Sequence, residues 1–481
     1  MMSPLWIIPS SMGLFALATW TFPPRAFSWI RRLGILALLI ALAGQVANLW
    51  QGTDPLASWY FVTVAVFSIF ALWYSGPYID REAEQHHWSP SRVKLYYVLL
   101  FVFLGSLIAL ALWTNLLWLW IAMEIATLSS VVLAAVPDTS AAVEAAWKYV
   151  MVTETGAMFA LFGTVLALSA VRSPLFAWHQ APLHVILSTQ RQHWALVGAY
   201  MALVGYGAKA GLAPFHTWLP DAHSEAPAPI SALLSGLKLA GALVIVYRLF
   251  RILSLALPAV YLQDALILLG LFSLVIAAGF LAFQRDLKRL WAYSSIEHIG
   301  IISLGVGFGG IALIGAALHI WTHAASKTLL FHNAGTVRLL YHSSDVRQGA
   351  SSILYRTPWT GALLALGSAA IVGLPPFAPF WSEWLVLAGG FHQPADRVFA
   401  LIAAALVIII FVAIARRVPD WLFAPGRMGV GPKRGTIKEP MALVLPSAVL
   451  ACIVVVGGLA LPILAHPLWS QLVGELGTVH L

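Results

Sequence analysis

The residues of this 481-residue chain whose spacing suggests chemistry are lysines, histidines and glutamates set inside long apolar stretches. In His319-Ile-Trp-Thr-His323-Ala-Ala-Ser-Lys327 three titratable groups recur at every fourth residue, so one helix presents them as a polar stripe about 12 Å long. Imidazole titrates near neutral pH, which suits such a stripe to passing protons. Two histidines at i and i+4 could instead chelate zinc, but an ammonium at i+8 would repel the ion. Glu124 stands in Trp120-Ile-Ala-Met-Glu-Ile-Ala-Thr-Leu-Ser-Ser130, apolar on both sides, and its expected partner is an intramembrane lysine. Lys209 precedes Pro214, where an interrupted helix would free backbone groups to bind water or polarise an ion. Lys238 lies deep in the next apolar stretch, too far in to serve as an interfacial anchor. Glu383, after Pro375 and Pro376, is the expected acidic end of the set. Glu154, Glu297 and His298 are additional candidates, although near a segment end a side chain is often only solvated.

What must position these groups is a membrane-embedded helical framework. The chain is 60% hydrophobic and 10% charged, with 37 Gly and 21 Trp; its mean hydropathy is +0.86. Ordinary globular chains are roughly 25% charged, so this is an integral membrane protein. Charged groups at membrane depth cost about 2.5–3.5 kcal/mol each on insertion scales, and those retained are usually paired and functional. A single cysteine, Cys452, excludes an internal disulfide, an iron–sulfur cluster and a structural zinc site built from this chain's thiolates. No cofactor is expected, and any electron chemistry belongs to a partner.

About fourteen segments are long and apolar enough to span a bilayer. The first seven run from Leu5 to Trp20, Leu33 to Trp50, Ser58 to Tyr78, Leu95 to Leu112, Asn115 to Val136, Ala145 to Ala170 and Ala195 to Leu219. The remaining seven run from Ile230 to Leu249, Leu262 to Phe283, Ala292 to Val306, Gly309 to Leu340, Trp359 to Gly389, Val398 to Ala415 and Met441 to Leu461. With both termini outside, nineteen of the 27 Lys and Arg fall in inner loops. Five (Arg172, Arg191, Arg248, Arg251 and Arg397) fall outside, as the positive-inside rule requires. The three left over are Lys209, Lys238 and Lys327. The net charge of +8 is therefore a topology signal and no nucleic-acid partner is expected. Gly211-Leu-Ala-Pro-Phe215 and Gly373-Leu-Pro-Pro-Phe377 match at four of five positions, in segments seven and twelve. That odd spacing predicts two inverted five-helix repeats, segments four to eight and nine to thirteen, with segments seven and twelve broken. The corresponding division is 1–94, 95–249, 262–415 and 416–481.

The stretch from Lys209-Ala-Gly-Leu-Ala-Pro-Phe-His-Thr-Trp-Leu-Pro-Asp-Ala-His to Gly236 resembles the signature of a family of antiporter-like membrane subunits. That family is shared by respiratory complex I, Mrp-type sodium/proton antiporters and membrane-bound group 4 hydrogenases. Val143-Glu-Ala-Ala-Trp-Lys-Tyr149, Gln284-Arg-Asp-Leu-Lys-Arg289 and Pro375-Pro-Phe-Ala-Pro-Phe-Trp-Ser-Glu383 resemble the hydrogenase-4 component F branch most closely. The resemblance implies an all-α polytopic fold of about fourteen helices docked beside other membrane and peripheral subunits. It places the family's helix-five glutamate on Glu124, its broken-helix lysine on Lys209, its helix-eleven relay on His319, His323 and Lys327, and its terminal group on Glu383. His216 and Asp221, inside the signature, join the additional candidates. Lys238 matches a second lysine typical of the complex I type and often missing in the hydrogenase-4 branch. No long lateral helix is expected after segment fourteen.

Together these readings predict a proton-translocating subunit of an energy-converting redox complex in the cell inner membrane, gated by Glu124 and Lys209 and not catalytic alone. No nucleotide-binding glycine loop or catalytic triad is present. The alternatives are an Mrp-like Na+/H+ antiporter subunit and a proton-driven partner in inorganic-carbon uptake.

Overall fold

The computed structural model describes residues 4–48, 55–171, 188–254, 256–423 and 437–476. Arg172, Arg427, Lys433, Arg434 and the last two residues of the second expected segment lie outside them. Among the described residues the chain is helical throughout and forms no strand beyond an isolated bridge between Asp286 and Asp345.

In chain order the helices are α1 (Pro4–Thr21), α2 (Phe27–Asn48), α3 (Pro55–Gln85), α4 (Pro90–Leu112), α5 (Leu116–Ala135), α6 (Ser140–Ala170), α7 (Thr189–Ala210), α8 (Leu219–Glu225) and α9 (Ala228–Leu233). They continue as α10 (Leu239–Leu253), α11 (Ala259–Leu281), α12 (Leu287–Phe308), α13 (Gly310–Tyr341), α14 (Ile353–Arg356), α15 (Pro358–Ile371), α16 (Ala378–His392), α17 (Arg397–Leu422) and α18 (Met441–Leu476). Each of the fourteen expected segments carries a helix, and ten described spans are long and apolar enough to cross a membrane. Ile7–Thr21 and Pro358–Ile371 are shorter apolar helices. Both α12 and α13 fall outside these groups, because Glu297, His298, His319, His323 and Lys327 dilute their apolar character.

Segment seven is α7 followed by a break and α8; segment twelve is α15 followed by a break and α16. The sequence places the interruption at proline, but both helices stop earlier, at glycine. Gly211 has φ +74° and Gly373 φ +70°, the left-handed region that glycine adopts without a Cβ penalty. Leu212 N–H donates to Gly207 O at 2.9 Å and Gly211 N–H to Ala208 O at 3.3 Å. In the second break Leu374 N–H donates to Ala369 O at 3.3 Å and Gly373 N–H to Ala370 O at 3.1 Å, the same paired closure of a helix end. Phe215 N–H to Leu212 O (2.8 Å) and Phe377 N–H to Leu374 O (3.0 Å) complete the match. Both breaks contain a cis peptide, Ala213–Pro214 and Pro375–Pro376. The two five-residue motifs therefore encode one backbone path, used twice.

Small residues bring the backbones of α6 and α7 into close contact. A Cβ on Gly163 would sit 2.3 Å from Ala202 N, and one on Gly205 would sit 2.2 Å from Ala160 N. This contact presents Glu154, on α6, to the end of α7 where Lys209 stands. The chain from α9 to α10 runs through the middle of the bundle, fully buried, and is joined by a π turn over Leu234–Lys238.

Two charges expected in loops are buried instead. Arg248, expected on the outer side, is 1% exposed and donates to Leu110 O (3.3 Å), Ala111 O (3.5 Å) and Trp113 O (3.2 Å), so it closes the carbonyl end of α4. Lys288, expected on the inner side, is fully buried. Its Nζ donates to Ser224 O at 2.8 Å and to the carbonyl of Ala226, while Arg338 Nη1 donates to Ser224 O at 3.1 Å. Two cations thus rest on the last turn of α8, whose unpaired carbonyls carry partial negative charge.

Candidate functional site

At the first break, α5, α6 and α7 each contribute one titratable group. Lys209 Nζ lies 3.0 Å from Glu124 Oε1 and donates to Glu124 Oε2 at 3.1 Å and to Thr127 Oγ1 at 3.2 Å. Glu154 Oε1 is 3.9 Å away. The lysine is fully buried, whereas 12% of the Glu124 side chain and 32% of the Glu154 side chain are exposed, so access to the ammonium is from the carboxylate side. Asn115 accepts from Leu117 N and Trp118 N at the start of α5, which fixes where Glu124 falls on that helix.

From there hydroxyl groups lead inward. Ser130, one turn beyond Thr127, donates to Thr127 O at 3.0 Å and meets Tyr149 Oη at 2.8 Å. Lys238 Nζ donates to the same phenol at 2.5 Å and lies over the rings of Tyr149 (4.7 Å) and Trp218 (5.4 Å), which stack on each other at 4.2 Å. Among the described residues no ion pair holds Lys238; its partners are a hydroxyl and two aromatic faces.

One turn before Lys238, Ser235 Oγ meets Ser295 Oγ at 2.7 Å and His323 Nε2 at 3.4 Å. His323 belongs to a cluster of three imidazoles with His298 and His319. The His298–His323 and His298–His319 ring centroids are 5.2 and 5.0 Å apart. His298 Nδ1 and His319 Nε2 share a hydrogen bond of 2.9 Å, and His319 Nδ1 meets Ser382 Oγ at 2.9 Å. Glu383 Oε1 is 3.8 Å from His298 Nδ1, and Glu297 Oε2 is 3.8 Å from His298 Nε2. Lys327 Nζ donates to Trp291 O at 2.8 Å. All of these groups are buried.

The seven principal candidates thus occupy one interior band. Glu154 joins Lys209, and Glu297 and His298 prove central to the histidine cluster rather than solvated at a segment end. His216 and Asp221 are not part of the band. His216 is half-buried in the turn Phe215–Trp218. Asp221 is held by Lys148 Nζ at 3.0 Å and Arg289 Nη1 at 2.8 Å, near the N-terminal ends of α6 and α12. Tyr149, Ser130, Ser235 and Ser382 escape a search for charged residues, yet they fill the gaps between charges. His223 also escapes it: fully buried on α8 and stacked on Phe331 at 5.2 Å, it lies within electrostatic reach of Lys238, Lys288 and Lys327.

Residues 113–411 match the protein family described as NADH:quinone oxidoreductase/Mrp antiporter, transmembrane region. The chain belongs to that family. It is 35% identical over 386 residues to the hydrogenase-4 component F homolog of Methylacidiphilum infernorum, covering 78% of this chain and 77% of that one. It is 32% identical over 425 residues to NADH-quinone oxidoreductase subunit N of Desulforudis audaxviator, covering 84% and 81%. Its fold matches, at TM-score 0.82 and 22% identity, a chain of the membrane-bound sulfane sulfur reductase, an archaeal respiratory membrane complex, covering 97% of this chain and 95% of that one. It is therefore a multi-pass, antiporter-like membrane subunit of the hydrogenase-4 and complex I type, and its relatives are membrane subunits of oxidoreductase complexes.

Proposed function

We propose that this antiporter-like subunit conducts protons through its interior band, from Glu124, Glu154 and Lys209 through Lys238 and the three histidines to Glu383. The observation that carries the reading is a buried band in which titratable groups meet hydroxyls at hydrogen-bond distance, Lys209 with Thr127, Lys238 with Tyr149 and His319 with Ser382, in a region otherwise packed with apolar side chains. Glu124 gates the entry: its carboxylate holds the Lys209 ammonium at 3.0 Å, and withdrawal of the carboxylate would break that contact. Protons would enter from the inner side and leave near Glu383.

In this reading segments four to eight (95–249) and nine to thirteen (262–415) are two inverted repeats, each donating one break, with 1–94 and 416–481 flanking them. The chain sits in the cell inner membrane with both termini outside. It performs no redox chemistry itself; other membrane and peripheral subunits of the complex would supply it. An ammonium rather than a cage of oxygen ligands faces Glu124, which favours H+ over Na+ as the transported ion.

Reconstitution of the assembled complex into vesicles containing a pH-sensitive dye tests the proposal. Lys209→Met should abolish redox-driven acidification while leaving electron transfer measurable; native acidification by this variant would remove Lys209 from the path.

A further inference from the structure

We propose that His298, His319 and Glu383 form a binding site for a single Zn2+-class divalent cation, built between α12, α13 and α16. The site itself rests on geometry; only its effect on transport depends on the proton reading above.

Three potential ligand atoms, one from each residue, all lie within 4.8 Å of one another, and the residues are buried. Two ligands bound to zinc at about 2.0–2.1 Å with a tetrahedral angle stand about 3.3 Å apart. The observed separations bracket that value: 2.9 Å for His298 Nδ1 to His319 Nε2 and 3.8 Å for His298 Nδ1 to Glu383 Oε1. Glu383 Oε1 has no hydrogen-bond partner among the described residues, so a buried acceptor is aimed into the site. The two-nitrogen, one-carboxylate donor set is that of a borderline transition ion and leaves a fourth position for water; Mg2+ and Ca2+ would take oxygen ligands.

The far nitrogens of both rings also face acceptors, as they do in metal sites where the second partner orients each imidazole. His319 Nδ1 meets Ser382 Oγ at 2.9 Å, and His298 Nε2 faces Glu297 Oε2 at 3.8 Å. Metal binding requires a lone pair on both inner nitrogens, so the proton they now share shifts to the outer nitrogen of its own ring, toward Glu297 or Ser382. The ion also displaces the proton that the Glu383 carboxyl carries when it is not ionised. The stripe spacing suggests His319 and His323 as the chelating pair. Instead, His323 Nε2 turns to Ser235, and its ring centroid is 6.1 Å from that of His319. The Lys327 ammonium donates to Trp291 O at 2.8 Å and stays within electrostatic reach of both rings, so it weakens binding of the ion without occupying the site. A bound cation would replace the His298–His319 hydrogen bond and so block the relay at its terminal cluster.

The test is titration of the purified full-length chain in detergent with Zn2+ against a chromophoric chelator, together with zinc X-ray absorption. Expected are one equivalent bound with mixed nitrogen and oxygen ligation, and affinity at least tenfold weaker in His298→Gln, His319→Gln and Glu383→Gln. Affinity should be unchanged in His323→Gln, with size-exclusion profiles reporting that each variant is folded. Glu297→Gln should weaken binding about 10-fold or more. Absence of a stoichiometric equivalent, or its loss in His323→Gln and retention in His298→Gln, overturns the proposal. If Zn2+ binds as expected while vesicle acidification continues at the native rate, the metal site stands and the relay through these histidines falls. If Zn2+ does not bind, the metal site alone falls.

Discussion

Lys238 has a phenol as its hydrogen-bond partner: its Nζ donates to Tyr149 Oη at 2.5 Å, and the same Oη meets Ser130 at 2.8 Å. Tyr149 is thus the one group touching both the Lys238 and the Ser130 sides of the band. Tyr149→Phe keeps the ring stacked on Trp218 and removes only the hydroxyl. Proton transport in vesicles should fall by about 100-fold or more, the order expected for losing one positioned proton-transfer group, and stability by about 1–3 kcal/mol, because Lys238 Nζ loses its hydrogen-bond partner. Native transport by this variant would show that the phenol is bypassed.

Glu124 and Glu154 share Lys209 unequally, at 3.0 and 3.9 Å. Glu154→Gln should therefore be mild and Glu124→Gln more severe in transport, while each single variant stays folded because one carboxylate remains. The double variant leaves a buried ammonium without a counter-charge and should cost about 3–5 kcal/mol, more than the sum of the singles. Unfolding midpoints of the four proteins in detergent check this; strict additivity would mean that the two carboxylates act independently.

The α6–α7 contact admits nothing larger than a hydrogen at several points. Gly205→Leu must push aside the Ala160 backbone, 2.2 Å from its new Cβ. Overpacking of this kind costs about 1–3 kcal/mol, and here it would also draw Glu154 away from Lys209. Gly279→Leu, where nothing lies within 4 Å of an added Cβ, is the matched control. Equal thermal stability of the two variants would contradict the packing argument.

Gly373 and Gly310 separate two effects. Both have positive φ, so alanine at either carries a backbone cost of about 1–2 kcal/mol. At Gly373, however, the added Cβ would lie 2.5 Å from Glu383 Oε2, whereas at Gly310 it meets open space. Gly373→Ala should lower transport through displacement of the carboxylate, and Gly310→Ala should not. Comparable transport in the two would make the Gly373 effect one of backbone alone.

Much of this arrangement was legible in the sequence, and what was hidden has a common cause. Apolar runs marked fourteen segments that each carry a helix, whereas α14 and most of α8, short and partly polar, lie outside them. The isolation of Glu124 among apolar residues pointed to a lysine partner, and Lys209 provides it. Glu297 and His298 looked interfacial by distance along the segment. In the structure α12 begins at Leu287, with Asp286 accepting from Arg289 N, and its side chains are buried along its length between α11 and α13. Lys288 and Arg248 looked like loop charges for the same reason: a linear count cannot show that the carbonyl end of another helix is waiting for a cation. The hydroxyls of Ser235 and Ser382 gave no signal of their own, because their importance lies in which imidazole they face.

The pair of cations seated on α8 also ties that helix to α12 and α13. Lys288 belongs to the helix that carries Glu297 and His298, and Arg338 to the one that carries His319, His323 and Lys327. With both gripping Ser224, the seven-residue α8 cannot slide along its axis without tugging α12 and α13. A displacement of α8, which follows the first break, would therefore pull on the two helices that carry the three imidazoles.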